Sequence, residues 1–222
     1  MNKKIISFSL WGDKPRYCVG AIENAKLAKE VYPEWIARFY IHKNVNETII
    51  EQIKDQEAEV VIMSSSEDWR AMMWRYLVAE DENADIFISR DADSRLDSRE
   101  MRAVQEWEQS DKIYHIMRDH PYHGFPILGG MFGAKKEGFN LIKEAISIGK
   151  FEDKYGTDYL FFGDILYPRI KKDAFVHDEF FEKKPFPTLR TNYQFVGQIF
   201  DEKNQPNETG RKAIINYFNN LK

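Results

Sequence analysis

Two acidic side chains, Asp91 and Asp93, follow the apolar run Ile86-Phe87-Ile88 and are separated by Ala92. Because side chains alternate along an extended chain, both carboxylates are expected to point in the same direction. The carboxyl ends of strands form the ligand-binding edge of open α/β sheets. Paired carboxylates at such an edge suit Mg²⁺ or Mn²⁺, which also bind water and substrate phosphates. The spacing therefore predicts a site for Mn²⁺ or Mg²⁺ that bridges to a diphosphate.

The Asp-x-Asp motif has two other interpretations. A calcium loop that began at Asp91 would need an oxygen ligand at its fifth position, glycine at its sixth and glutamate at its twelfth. Those positions hold Arg95, Leu96 and Arg102, which excludes an EF-hand. A pair of solvated turn carboxylates remains an alternative, because Asp-x-Asp is common by chance.

Arg70 and Arg75, in the segment before this strand, are candidates for pairing with the diphosphate or with the first carboxylate. Five residues of α-helix would place them about 140° apart, so they are not expected to share a partner. One guanidinium is expected to face the diphosphate, where its planar fork gives bidentate contacts. The other is expected to be solvated or paired at the surface.

Asp158 and Asp164 are the candidate catalytic carboxylates of a later predicted helix. Asp158 lies in the first turn, where it suits the helix dipole and is also well placed as a base or as an acceptor for sugar hydroxyls. Asp164 would lie about 120° further round the helix. At most one of the two carboxylates is therefore expected to face a pocket squarely.

Polar rings and glycines are concentrated between these motifs. Arg118, His120 and His123 lie within six residues, and their mixed donors and acceptors suit sugar hydroxyls, although a satisfied surface turn is an alternative. Gly129 and Gly130 begin a predicted strand whose missing side chains would permit close approach by a ligand or by backbone.

His177 is the last candidate ligand. As a neutral imidazole it could complete the coordination of a metal held by Asp91 and Asp93. An imidazole simply paired with its neighbour Asp178 is an equally acceptable interpretation of the same residues.

Alternating apolar strands and helices must position these side chains, and their spacing indicates an α/β fold with parallel pairing and right-handed crossovers. The sequence shows no internal repeat and no linker-like stretch, so residues 1–222 are expected to form a single domain. The predicted strands are 5–10, 37–42, 59–63, 85–89, 112–117 and 129–134. The predicted helices are 16–31, 46–55, 69–79, 98–109, 137–148, 157–167 and 210–221, and 176–200 is expected to be irregular.

Composition excludes several classes of protein. Lys plus Arg is 32 and Asp plus Glu is 36, and the resulting net charge of −4 argues against a nucleic-acid or general polyanion binder. The single cysteine, Cys18, excludes an internal disulfide framework and suggests a reducing compartment. No apolar run approaches the roughly 18 residues that span a bilayer, so a cytoplasmic protein is expected.

Taken in order, several motifs resemble those of small GT-A-fold glycosyltransferases, over roughly residues 4–201. Similar enzymes occur in bacterial polysaccharide loci and as a domain of an algal-virus capsid glycosyltransferase. The motifs that carry the resemblance are residues 5–12, 69–75, 89–95, 118–123, 129–133 and 177–181.

The resemblance implies a mixed, mostly parallel central sheet flanked by helices, together with a nucleotide-sugar donor and Mn²⁺ or Mg²⁺. It implies that the metal and the ribose are held at Asp91 and Asp93. The implied donor-binding set is Ser9, Leu10, Trp11 and Gly12 beside the nucleoside, with Arg70, Arg75, Asp91, Ala92, Arg118, His120, His123, Gly129 and Gly130. Relatives often have glutamine after the late aspartate, whereas Asp158 is followed here by Tyr159.

The function expected from these features is metal-dependent transfer of a hexosyl or deoxyhexosyl group, from a UDP-sugar to a glycan or glycoconjugate acceptor. Resemblance to retaining relatives with a late histidine ligand favours retention of configuration, with inversion as the alternative. A non-catalytic carbohydrate-binding or assembly module is a second possibility. A sugar nucleotidyltransferase is a third, although Gly12 is the single glycine where a phosphate-binding loop would be glycine-rich.

Overall fold

The computed structural model describes residues 3–65 and 67–220. A seven-stranded sheet forms its centre, with the strand order β3-β2-β1-β4-β6-β5-β7. All neighbouring strands are parallel except β6, which runs antiparallel to both β4 and β5. The strands are β1 Lys3–Leu10, β2 Ile36–His42, β3 Glu59–Met63, β4 Ala84–Ser89, β5 Tyr114–Arg118, β6 Phe132–Lys135 and β7 Ala174–Asp178.

Helices cover both faces of the sheet, and the alternation of side chains along the central strands explains why. In β1, Ile5 packs into one hydrophobic cluster while Ile6 and Phe8 pack into the other. In β4, Phe87 faces the first cluster and Ile88 the second. Strands buried on both faces read as continuous apolar runs, as these two do. The helices are α1 Pro15–Val31, α2 Glu47–Lys54, α3 Ser98–Glu108, α4 Phe139–Ile148, α5 Thr157–Leu160, α6 Tyr167–Ile170 and α7 Glu208–Asn219.

The chain builds β1, β2 and β3 outward in one direction and then crosses back to place β4 on the other side of β1. The carboxyl ends of β1 and β4 therefore lie side by side where the strand order reverses. Open α/β sheets bind ligands at this position. Asp91 and Asp93 follow β4, so the fold brings them to the reversal point.

The segment predicted as an α-helix over 69–79 is a 3₁₀ helix, Trp69–Glu80. Two serines of β1 account for the difference. Ser9 Oγ accepts the amide of Arg75 at 3.0 Å and donates to the carbonyl of Met72 at 3.3 Å. Ser7 Oγ donates to the carbonyl of Arg75 at 2.7 Å. These bonds divert backbone groups from an α-helical ladder and fix Arg75 above the sheet.

The helix predicted over 157–167 consists of three parts, because a π-helical turn at Phe161–Leu166 separates α5 from α6. Pro168 lies just beyond that turn and has no amide hydrogen for the carbonyl of Asp164. Its ring also crowds that carbonyl, so the helix widens instead of continuing regularly.

Two further predictions need correction. Gly129–Met131 is a 3₁₀ turn before β6, because the carbonyl of Gly129 accepts bonds from Tyr76 Oη at 2.6 Å and Ser89 Oγ at 2.7 Å. Residues 176–200 are not wholly irregular, since β7 begins at Ala174 and extends the sheet beside β5. The helix predicted over 210–221 is α7, and Leu221 lies outside the described residues.

No helix in the described part of the chain combines the length and the apolar character that crossing a bilayer requires.

Candidate active site

A cavity of about 900 Å³ opens at the carboxyl ends of β1 and β4. It contains most of the residues that the sequence indicated as a site. The predicted residues that line it are Ser9, Leu10, Trp11, Gly12, Arg75, Asp91, Ala92, Asp93, His120, His123, Gly129, Gly130 and Asp158. Arg70, Arg118, Asp164 and His177 are not among the lining residues.

A side chain that sequence reasoning missed, Asn24 of α1, holds the Asp-x-Asp loop in place. The buried Asn24 amide donates to the carbonyls of Ala92 at 3.2 Å and Ser94 at 2.9 Å, and its oxygen accepts the amide of Leu96 at 3.1 Å. Close packing at Gly20 allows this approach, because a Cβ there would lie 2.0 Å from the carbonyl oxygen of Ala92. The sequence feature that could have identified Asn24 is its position as a polar residue on the apolar face of α1.

The two carboxylates of the motif differ in exposure. The Asp91 side chain is half exposed, whereas Asp93 is buried, with Arg16 Nε 3.4 Å from its Oδ2. Burial, together with the nearby charge of Asp91, raises the pKa of Asp93 to about 6. A cation bound here would oppose both effects, because it stabilises the ionised form of the carboxyl. Arg16 is a second residue that sequence reasoning missed.

The carboxylates of Asp91 and Asp93 suit Mg²⁺ or Mn²⁺ only as part of a shell that a substrate and water complete. Across residues 3–65 and 67–220, no three His, Cys, Asp or Glu side chains are grouped so that they could hold a metal by themselves. Asp91 and Asp93 nevertheless line one cavity. Mg²⁺ sites commonly use one or two carboxylates and complete the shell with water and substrate phosphates. The pair therefore suits a metal that arrives with a phosphate ligand.

Arg75 links the Asp-x-Asp loop to the candidate catalytic carboxylate. Its buried guanidinium donates through Nη1 to Asp91 Oδ1, and its Nη2 lies 3.7 Å from Asp158 Oδ2. Arg70 is exposed and pairs with Asp68 at 2.5 Å. The structure therefore brings Arg75, and not Arg70, to the cavity.

Asp158 is buried, and its Oδ1 has no hydrogen-bond partner among the described residues. Burial raises the pKa of this carboxyl, and the positive charge of Arg75 opposes the rise only in part. Asp164 is exposed and lies outside the cavity. Of the two candidates, Asp158 alone faces the cavity.

Gly129 and Gly130 are required by the closeness of these charged groups. A Cβ at Gly129 would lie 2.5 Å from both Arg75 Nη2 and Asp158 Oδ2. A Cβ at Gly130 would lie 2.0 Å from Asp91 Oδ2. The glycines permit close approach, as predicted, but the groups that approach are the protein's own side chains.

The histidines of the loop after β5 line the cavity in their neutral forms. His120 Nε2 donates to the carbonyl of Gly210 at 2.9 Å, and burial lowers the pKa of His120. His123 Nδ1 accepts the amide of Asp119 at 3.1 Å, and burial, followed by the neighbouring His120, lowers the pKa of His123 to about 3.

Arg118, predicted in the same group, points away from the cavity. Its Nε donates to Asp178 Oδ2 at 2.7 Å and its Nη1 to the carbonyl of Pro126 at 2.7 Å, while Nη2 pairs with Glu182. A buried guanidinium with these partners is already satisfied, so its position does not support the predicted contact with a donor.

His177 is also far from its predicted position as a metal ligand. It lies on β7, where its Nδ1 accepts from His115 Nε2 at 2.8 Å and its Nε2 donates to Glu106 at 3.0 Å. Two strands, β5 and β6, separate β7 from β4 in the sheet. The structure therefore does not bring His177 together with Asp91 and Asp93, and its position does not support a role as their shared metal ligand.

Comparison with known proteins gives a structural likeness but no sequence family. No protein-family model matches the sequence, and no curated protein matches it. A glycosyltransferase involved in glycosylation of the major capsid of PBCV-1 is similar in structure, with a TM-score of 0.51, 13% identity, and coverage of 81% of this chain and 82% of that one.

Two other solved structures extend the comparison. A cytidylyltransferase from Leptospira borgpetersenii has a TM-score of 0.53 and 15% identity, with coverage of 86% of this chain and 83% of that one. Glucosyl-3-phosphoglycerate synthase from Mycobacterium tuberculosis was solved in complex with Mn²⁺, UDP and phosphoglyceric acid. It has a TM-score of 0.51 and 12% identity, with coverage of 79% of this chain and 68% of that one.

At such low identities the likeness establishes the fold, and it confirms the α/β architecture expected from the sequence. Together with the mixed, mostly parallel sheet and the cavity at its strand-order reversal, the comparison shows that this chain has the fold of the GT-A-type glycosyltransferases, a fold similar to that of the cytidylyltransferases.

Proposed function

We propose that this protein is a metal-dependent glycosyltransferase that moves a hexosyl or deoxyhexosyl group from a nucleotide-diphosphate donor, a UDP-sugar, to a glycan or glycoconjugate. The observation that carries this proposal is that Asp91 and Asp93 share one cavity with Asp158, whose Oδ1 has no hydrogen-bond partner among the described residues. That combination provides a diphosphate site and a reactive carboxylate within the same space.

The donor side of the proposal rests on charge. A diphosphate beside Asp91 and Asp93 would concentrate negative charge at a partly buried position, where repulsion is weakly screened. A divalent cation would neutralise that charge when bound between the carboxylates and the phosphates. The structurally similar synthase from Mycobacterium tuberculosis was solved with Mn²⁺ and UDP, which supports both the metal and the nucleotide.

The protein's own side chains would orient the reacting groups. Arg75 fixes Asp91 through a hydrogen bond and attracts Asp158, so the two carboxylates keep a defined separation. Asp158 Oδ1 is free to accept a hydroxyl proton from the acceptor or to face the anomeric carbon of the donor. The first role gives inversion and the second retention. The anomeric configuration of the product, read by NMR, distinguishes them.

The direct test is donor hydrolysis in the absence of acceptor. UDP-, GDP-, CDP- and dTDP-sugars are first screened for thermal stabilisation with Mn²⁺, because a ligand that binds the folded state raises the melting temperature. The stabilising donor is then incubated with the protein, and release of the nucleoside diphosphate is measured. We expect slow hydrolysis that stops in EDTA and resumes with added Mn²⁺. Hydrolysis that continues unchanged in EDTA would contradict the metal-dependent assignment.

A nucleotidyltransferase is the second candidate, supported by the likeness to the cytidylyltransferase from Leptospira borgpetersenii. The two reactions differ in their products. A nucleotidyltransferase joins a nucleoside triphosphate to a sugar phosphate and releases pyrophosphate from the triphosphate. The proposed enzyme instead releases a nucleoside diphosphate from the nucleotide-sugar. Pyrophosphate formation from CTP or UTP with sugar 1-phosphates would favour this candidate, and absence of both products would favour a non-catalytic carbohydrate-binding module.

A further inference from the structure

Five aromatic rings form a continuous row along one side of the cavity, and nothing in the proposed donor site uses most of them. The row, called the aromatic wall below, runs through Trp11, Trp69, Tyr155, Tyr159 and Phe125, all of which line the cavity. Successive ring centroids are 6.0, 5.3, 6.1 and 4.3 Å apart.

The outer part of the aromatic wall is too exposed to be core. Tyr155 is 69% exposed and Phe125 43%, whereas Phe132, in the core, is 1% exposed. Single exposed rings are ordinary, but a contiguous exposed aromatic surface beside a cavity is typical of a ligand-binding surface.

Local geometry holds these rings in place. Gly156 has φ +76°, and a Cβ there would lie 2.8 Å from the ring of Tyr159, so this ring packs directly across the glycine. The hydroxyls of Tyr155 and Tyr159 are 3.3 Å apart, and their rings are nearly perpendicular at 85°. Phe125 comes from a different loop and stacks on Tyr159 with an interplanar angle of 22°. The two exposed surfaces, on Tyr155 and on the Tyr159–Phe125 pair, are therefore differently oriented and preorganised.

Charges near the aromatic wall limit the kind of ligand. Glu67, Asp68 and Asp153 line the same cavity, and Asp158 lies at its base. Asp13, Asp91 and Asp93 also line it, whereas the lining cations are Lys14, Arg16 and Arg75. The excess of carboxylates disfavours phosphorylated or uronic-acid ligands through repulsion.

We propose that the Tyr155, Tyr159 and Phe125 end of the aromatic wall is the acceptor subsite, and that its ligand is a neutral oligosaccharide of at least two pyranose units. This inference rests on the proposed function. Trp11 belongs to the loop assigned to the nucleoside, which leaves the opposite end of the wall for the acceptor. Tyr159 directly follows Asp158, so a sugar packed against the Tyr159–Phe125 pair is placed close to the candidate catalytic carboxylate.

Pyranoses match this surface chemically. A pyranose has an apolar face of C–H groups, which packs on an aromatic ring, and a rim of hydroxyls for hydrogen bonds. Binding sites for such ligands combine aromatic side chains with a few well-placed polar groups. Here the tyrosine hydroxyls and Asp153 supply polar groups beside the ring faces. Two differently oriented ring surfaces account for the requirement of at least two sugar units.

The test is direct binding of neutral tetrasaccharides, which needs neither donor nor turnover. Maltotetraose, cellotetraose, mannotetraose and chitotetraose are titrated by calorimetry and by saturation-transfer NMR. We expect at least one to bind the wild-type protein. Tyr159→Ala and Phe125→Ala should each weaken that binding by about two- to tenfold, the range expected for loss of one aromatic contact.

Matched variants separate stacking from other effects. Tyr159→Phe keeps the ring face and should bind within about twofold of wild type. Leu189→Ala changes a 92% exposed apolar residue outside the cavity lining and should change nothing. Absence of binding by all four tetrasaccharides, or binding by both alanine variants with the affinity of the wild-type protein, would overturn the proposal. A hyaluronan tetrasaccharide that binds more tightly than every neutral tetrasaccharide would overturn the restriction to neutral ligands.

Failure of this inference is distinguishable from failure of the proposed function. Donor hydrolysis without acceptor tests the function, whereas tetrasaccharide binding tests the wall. UDP affinity, measured by calorimetry, should be unchanged in Tyr159→Ala. Loss of UDP binding with no loss of tetrasaccharide binding would assign this end of the wall to the nucleoside instead and overturn the acceptor assignment.

Discussion

Two buried carboxylates, Asp119 and Asp158, lie beside arginines in different parts of the molecule and differ in how completely they are satisfied. Asp119, fully buried after β5, accepts bonds from Arg99 at 2.9 and 3.1 Å, from Arg190 at 2.5 Å and from the amide of Val196 at 2.9 Å. Asp158, by contrast, lies 3.7 Å from the guanidinium of Arg75 and has an oxygen with no partner among the described residues.

This difference indicates a structural role for Asp119 and supports the functional role proposed for Asp158. Buried polar groups are almost always hydrogen-bonded, because an unsatisfied one costs free energy. Asp119 meets that expectation and ties the segment around Arg190 and Val196 to the end of β5. Asp158 does not meet it, and its free oxygen belongs to a residue that lines a cavity. Under the proposed function, a ligand bound in that cavity would supply the missing bond.

The largest expected effect is on stability, at the satisfied carboxylate. Asp119→Ala removes the fully buried carboxylate that Arg99 and Arg190 share and leaves Glu179, which is partly exposed, as the carboxylate they still share. The free energy of unfolding should therefore fall by about 3 kcal/mol. Urea unfolding followed by circular dichroism measures this. Glu51→Ala, at an exposed helix position, is the control and should change the value by less than about 0.5 kcal/mol. A loss below about 1 kcal/mol in Asp119→Ala would remove the distinction between the two carboxylates.

The next effect is on activity, at the unsatisfied carboxylate. Asp158→Asn keeps the size and a hydrogen-bonding oxygen but removes the charge, so transfer should fall by on the order of a hundredfold with donor affinity nearly unchanged. Steady-state rates and donor titrations measure the two quantities. Asp164→Asn, at an exposed position outside the cavity, serves as the matched control. Normal turnover by Asp158→Asn with a defect in Asp164→Asn would show that the wrong carboxylate has been assigned.

A smaller effect is expected at the arginine that joins Asp91 to Asp158. Arg75→Lys keeps the positive charge but loses the planar fork, so a single ammonium can no longer contact both carboxylates in the same way. We expect donor affinity or turnover to fall by about tenfold, measured by calorimetry and by initial rates. Arg70→Lys is the paired control at a solvent-exposed arginine. Equal behaviour of the two variants would refute the assignment of Arg75.

The smallest effect concerns pH and Asp93. Its folded-state pKa of about 6 lies above the usual aspartate value of about 3.9, so the folded protein binds this proton more tightly than the unfolded chain does. Stability contributed by the protonated carboxyl is therefore lost as pH rises through that window. Asparagine does not titrate, so Asp93→Asn should not lose this stability as the pH rises. With EDTA present to remove metal, the free energy of unfolding of Asp93→Asn minus that of wild type should increase by roughly 1 kcal/mol between about pH 5 and about pH 7.5. A pH-independent difference would contradict the raised pKa.

Sequence patterns predicted the elements of the fold because local interactions determine them. The apolar runs of β1 and β4 match strands buried on both faces, and the Asp-x-Asp spacing correctly places Asp91 and Asp93 at a sheet edge. The order of strands is not a local property. The insertion of β6 antiparallel between β4 and β5 depends on contacts between residues far apart in sequence, which no periodicity records.

The choice between paired candidates also depended on tertiary contacts. Regular helical geometry showed that Arg70 and Arg75 could not share a partner, but it could not show which one faces the cavity. Hydrogen bonds from Ser7 and Ser9 of β1 to the backbone around Arg75 make that choice. These contacts join residues more than sixty positions apart.

The sequence by itself determined the residue types available for chemistry: two carboxylates after a strand, a later acidic helix start and glycines small enough for close approach. Only the tertiary structure decided which of them meet. His177, on β7, was separated from Asp91 and Asp93 by the sheet order, whereas Asp158 was brought to them by the close packing at Gly129 and Gly130. The physical reason is that strands and helices form from local patterns, while their arrangement is set by burying apolar surface across the whole chain.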